Sequence, residues 1–158
     1  MSNTIVLGIG NRLGGDDAAG TCVIDMLIKR RHGAKSLATD DLIAIDAGSA
    51  PEGYTSIIRQ HRPDLLILID AADMGLSPGA LRIIKQEQIR ILSFSTHHIP
   101  LSIFISYIKE FCGSILLVGI QPEQTETGGL ISEVVRQSVN TLTEVILGGR
   151  IAEIPLLA

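Results

Sequence analysis

Four short runs along the chain are apolar without interruption, and each ends at a turn marked by glycine or a polar residue. They cover residues 5–9, 42–45, 65–69 and 115–119. A strand with one wet face alternates apolar and polar residues. A strand buried on both faces does not, because helices cover both sides of its sheet. Between these runs lie segments with helical spacing, over 18–31, 50–60, 100–111 and 131–147, so strand and helix alternate along the chain. Pro51 suits a first helical turn, and Lys29, Arg30 and Arg31 suit the negative end of a helix dipole. Residues 81–84 read as a short edge strand, residues 73–79 as a loop and residues 88–98 as irregular. The expected architecture is a three-layer α/β/α sandwich. Its central sheet is mostly parallel and twisted, with about five strands, and residues 1–158 form a single domain.

Composition narrows the choice of partner. Hydrophobic residues make up 46% and aromatics 3%, so the core is built from Ile, Leu, Val and Ala. The formal net charge is −4, with the basic residues scattered. That argues against nucleic-acid binding, which rests on phosphate neutralisation. No apolar run approaches the roughly 20 residues of a membrane span, and the opening residues have no charged leader, so no membrane insertion and a cytoplasmic location are expected. Cys22 and Cys112 lie 90 residues apart in apolar contexts and are expected to be buried, reduced thiols.

Polar residues at strand ends carry the functional signal, because in open α/β sheets ligands bind outside the carboxyl ends of the strands. Asp16 and Asp17 follow the first strand, Asp46 ends the second and Asp70 the third, and His97 and His98 precede a later helix. Each also has a plainer reading: Asp17 as a helix N-cap, Asp46 and Asp70 as turn residues, the histidines as loop residues. Asp73 lies further into its loop and is the weaker choice, and His32 and His61 read as solvated helix-end residues. Segment 8–20, GIGNRLGGDDAAG, is not a dinucleotide fingerprint: Leu13 stands where the third glycine belongs. The acidic pair would also repel a pyrophosphate. There is no H-E-x-x-H, no G-x-S-x-G and no His-rich tract. Two carboxylates and an imidazole from separate loops would form an oxygen-and-nitrogen site better suited to Ni²⁺, Zn²⁺ or Fe²⁺ than to Mg²⁺, with coordination positions left open.

Five segments together resemble the hydrogenase maturation endopeptidases. They are GIGNRLGGDDAAG, IDAGSAPE, LILIDAAD, STHHIPL and LLVGIQPE, in family order from residue 5 to about 147. GSAPE and STHHIPL are especially similar to the branch serving membrane-bound, hydrogen-evolving hydrogenases. The resemblance implies a peptidase that removes the C-terminal extension of a [NiFe]-hydrogenase large-subunit precursor once nickel is in place. Asp17, Asp70 and His97 would be the metal-recognising and catalytic residues, with Asn11, Asp16 and Asp46 in support. The nickel would be carried by the substrate, no tightly bound organic cofactor is implied, and the working form is expected to be a monomer. Ala18 departs from the Gly that many relatives carry after the acidic pair. Two other readings stay open at this point: a general metallohydrolase or amidase holding its own metal, and a non-catalytic nickel-binding accessory protein.

Overall fold

The computed structural model describes residues 3–33, 42–95 and 100–158. Strand β1 (Thr4–Ile9) leads through a 3-10 turn (Gly15–Ala18) into helix α1 (Ala19–Gly33). Strand β2 (Leu42–Gly48) is followed by a 3-10 turn (Pro51–Tyr54), opened by Pro51, and by α2 (Thr55–His61). Then come β3 (Leu65–Asp73), β4 (Leu81–Ile84), a 3-10 segment (Gln86–Ile91) and a two-residue strand β5 (Ser93–Phe94). Helix α3 (Leu101–Ile108), β6 (Ser114–Ile120) and α4 (Glu133–Leu147) complete the main elements.

The sheet order is β2-β1-β3-β6-β4, with β5 attached to β3. β2, β1, β3 and β6 run parallel, with Val6 opposite both Ala44 and Ile67, and Ile67 opposite Leu116. β4 lies antiparallel on β6, and β5 antiparallel on β3. The chain leaves β1 outward to β2 and then crosses back to β3 on the other side of β1. That reversal makes the carboxyl ends of β1 and β3 the topological switch point, where such sheets open a crevice.

Both faces of the sheet are covered, as the unbroken apolar runs require. Val6, Ile67, Ile69 and Val118 pack under α1 and α4, against Val23, Ile24, Leu27, Val139 and Leu142. Ile5, Leu7, Leu66, Leu68 and Leu117 pack on the opposite side against Ile58 of α2 and Phe104, Ile105 and Ile108 of α3. Each such side chain contributes roughly 1.5–3 kcal/mol on full burial. Among the described residues no helix is long and apolar enough to cross a membrane.

The structure differs from the sequence reading in three places. β2 and β3 run on to Gly48 and Asp73, so Asp46 and Asp70 lie inside strands rather than in the turns after them. The extension of β3 is held first by β6, which pairs Gly119 with Asp70 and Ile120 with Ala71, and then by β5, which pairs Phe94 with Ala72 and Ser93 with Asp73. Residues 88–95 are correspondingly a 3-10 segment and a strand where irregular chain is expected. The cysteines are half-buried rather than fully buried, and both are free thiols. Desolvation pushes both thiols up, away from the thiolate form.

Candidate active site at the switch point

The glycines of segment 8–20 serve close packing. A Cβ on Gly20 would stand 2.2 Å from the Ile9 carbonyl oxygen and 2.5 Å from that of Ile69. Only glycine lets the first turn of α1 rest directly on the carboxyl ends of β1 and β3. The acidic pair just before that turn is thereby placed at the switch point. Its chain path is fixed by the Asn11 amide donating to the Asp17 carbonyl at 3.0 Å and the Asp17 amide donating to Gly14 at 3.0 Å.

Adjacent in sequence, Asp16 and Asp17 part ways in the fold. Asp16 is fully buried. Its carboxylate accepts from the amides of Glu123 (2.8 Å), Gln124 (3.0 Å) and Ser132 (2.7 Å) and from the Ser132 hydroxyl (2.8 Å). It is a latch between the first loop and the loop that follows β6. The Gly128 amide, donating to the Leu13 carbonyl at 2.7 Å, reinforces it. Asp17 stays partly exposed in the 3-10 turn. It does not cap that turn: the N-cap position is Gly14, with no side-chain cap.

Asp70 shares a strand face with Leu66, Leu68 and Ala72, so it points to the α2 and α3 side. It is fully buried. The Ser95 hydroxyl donates to Oδ1, whereas Oδ2 is buried with no hydrogen-bond partner. Burial pushes the Asp70 carboxyl well above the usual range, the Ser95 hydroxyl pulls it back, and the charge of Asp17 raises it again. The charge of Asp17, in the first loop, thus acts on Asp70, inside β3.

Asp46 uses Oδ1 to accept from the Gly48 amide at 3.0 Å and Oδ2 to accept from Arg12 at 2.7 Å. Arg12 also forks onto both oxygens of Asp25, at 2.8 and 2.9 Å, so it ties the first loop to α1 and β2. Asn11 is exposed, and its side chain builds the turn by accepting from the Leu13 amide at 3.0 Å. Asp73 is exposed and engaged by the Gln121 side chain at 3.2 Å, which lowers its carboxyl pKa. It is not part of the pair. His97 and His98 lie outside the described residues, as does the side chain of His32, while His61 is exposed. Among the described residues no three His, Cys, Asp or Glu side chains gather as a metal cage.

Two residues escaped the sequence reading. Ser95 is buried at 4% exposure against Asp70, and the visible signal was a serine immediately before the histidine segment. Glu52, in the turn after β2, keeps Oε2 buried and without a partner. Its only sequence mark is its place in the segment IDAGSAPE.

Comparison with known proteins agrees with this fold. Residues 26–149 match the family of hydrogenase maturation proteases. A protein of Methanocaldococcus jannaschii named as a hydrogenase maturation protease is 39% identical over 148 residues, covering 90% of this chain and 87% of its own. The crystal structure of the hydrogenase 3 maturation protease superposes with a TM-score of 0.83 at 32% identity, covering 99% of this chain and 97% of that one. The [NiFe] hydrogenase maturation protease HycI of Thermococcus kodakarensis gives 0.80 at 33% identity, with 94% and 92% covered. A mostly parallel α/β sandwich with an acidic pair at its switch point, matched to these relatives over nearly its whole length, belongs to the hydrogenase maturation proteases and is a peptidase of that type.

Proposed function

We propose that this peptidase removes the C-terminal extension of a [NiFe]-hydrogenase large-subunit precursor after nickel insertion, and that it recognises the nickel held by the precursor. One observation carries the reading: Asp70 keeps a buried carboxylate oxygen with no partner, in the field of a second carboxylate. A buried charge without a partner is costly, and an incoming cation removes that cost. Asp17 and Asp70 supply two oxygen donors, and His97 adds a nitrogen. Ser95, two residues before His97 in the chain, is bonded to Asp70, which supports a common role for that segment. Such a mixed donor set fits Ni²⁺.

In this reading Asp17, Asp70 and His97 contact the precursor's nickel, and that contact holds the scissile bond in the crevice. The empty precursor lacks the cation that the carboxylate pair demands. Discrimination of about 1,000-fold needs about 4 kcal/mol, within reach of one charged contact set in a dry cleft. The two free thiols fit a reducing cytoplasm as the place of action. The monomer is taken as the working form.

Mass spectrometry of a large-subunit precursor, loaded with nickel or empty, before and after incubation with the protein, tests this. Only the loaded form should lose its C-terminal peptide, and His97→Ala should abolish that loss without unfolding the chain. Equal cleavage of both forms removes nickel recognition from the account. Normal trimming by the His97 variant removes His97.

A further inference from the structure

Burial alone does not explain why Asp70 is only half satisfied. The register of β5 on β3 pairs Asp73 with Ser93 and Ala72 with Phe94, so one further step brings Ser95 alongside Ala71, next to Asp70. A two-residue strand adds little stability of its own. Its effect is to register one hydroxyl against one carboxylate oxygen. The Ser95 hydroxyl donates to Oδ1, and the other oxygen stays buried and unbonded.

We propose that Ser95 is a positioning residue that makes Asp70 a one-oxygen ligand, holding Oδ1 so that Oδ2 alone meets the precursor's metal. The assignment rests on the nickel-recognition reading above and adds a direction and a stoichiometry to it. A free carboxylate can close on a cation with both oxygens and occupy two coordination positions. One oxygen held by a serine leaves a single anionic contact and keeps a position open for groups carried by the precursor. Partners behind a metal-binding group tune it in this way, and their loss typically costs about 10–100-fold in affinity or rate.

Ser95→Thr keeps the hydroxyl, and Ser95→Val has nearly the same shape as that threonine without it. The full-length chain and both variants are compared in two assays: calorimetric titration with Ni²⁺ alone, and the rate of trimming nickel-loaded precursor. The threonine variant should stay within about threefold of wild type. The valine variant should lose about 10–100-fold in both readouts. Equal behaviour of the two variants, whether intact or impaired, overturns the proposal, since added bulk would then be the whole effect. If the added methyl groups unfold both variants, Ser95→Ala takes the place of valine, and wild-type behaviour of that variant overturns it equally. Failure of the wild-type chain to trim loaded precursor would instead count against the nickel-recognition reading, and the Ni²⁺ titration would still decide the role of Ser95.

Discussion

Asp16 and Asp70 are both fully buried carboxylates at the same end of the sheet, and they are treated in opposite ways. Asp16 accepts four hydrogen bonds shared over its two oxygens, all from the loop after β6 and the approach to α4. Asp70 has the Ser95 hydroxyl on Oδ1, with the backbone of Ala71 and Ser95 also acting on its carboxyl, and leaves Oδ2 buried without a partner. A polar group that only holds a fold together is satisfied by the fold itself. One left unsatisfied stores a cost that a bound cation can relieve. The contrast separates a latch from a ligand more sharply than burial or charge does, and it can be broken from either side.

The largest expected effect is on activity at Asp70. Asp70→Asn keeps the shape and an acceptor for Ser95 but removes the anionic oxygen. Trimming of nickel-loaded precursor should fall by about 1,000-fold, equivalent to about 4 kcal/mol of discrimination. The same variant should be more stable than wild type at neutral pH, because ionising Asp70 in the folded state is unfavourable. The folded carboxyl titrates above its unfolded value of about 4, so the folded state binds more protons as pH rises through that window. Wild-type stability is therefore lost from about pH 4 upward, and the lead of Asp70→Asn should widen with pH until Asp70 is fully ionised. Thermal unfolding of both proteins across that range checks the sign. A lead that shrinks as pH rises would mean that the fold favours the charged form, and Asp70 would join Asp16 as a latch.

Asp16→Ala should act in the opposite direction. It leaves amide donors of Glu123, Gln124 and Ser132 without their acceptor, at about 1–3 kcal/mol for each that stays dry. A net loss of about 3 kcal/mol, or roughly 10 °C in Tm for a chain of this size, is expected by calorimetry. A loss below about 1 kcal/mol would mean that water replaces the carboxylate easily and that the two loops are not truly fastened together.

How much of this contrast was legible beforehand depends on range. The buried strands were readable because a strand covered on both faces has no alternation, and residues 65–69 show this directly. The end of β3 was not readable, because its extension through Asp70 and Ala71 depends on pairing with Gly119 and Ile120 of β6, and its last two residues on pairing with β5, all distant in the chain. Asp16 and Asp17 are the same residue type side by side, and only the 3-10 turn decides which points inward. Ser95 broke an apolar pattern, but its partner is 25 residues distant, so the interruption could be noticed and not interpreted. Asp17 and Asp70 were singled out as strand-end carboxylates, although Asp70 proves to lie inside β3. The state of their oxygens required the packed structure.

The smallest effect sharpens the comparison further, because the first loop has a second fastening of a different kind. Arg12 bridges Asp25 and Asp46 with good fork geometry, yet its side chain is 52% exposed, so water and salt compete for every contact. Arg12→Gln should therefore cost less than about 1 kcal/mol, or about 2–4 °C in Tm. Most of that difference should vanish between about 0.05 and 1 M salt as the Debye length shrinks. The deficit of Asp16→Ala, set by buried hydrogen bonds, should persist in the same salt series. Equal salt sensitivity of the two variants would mean that solvent reaches the Asp16 latch as freely as it reaches Arg12, and that the position of Asp17 owes more to the helix packing at Gly20 and the backbone bonds of the first loop.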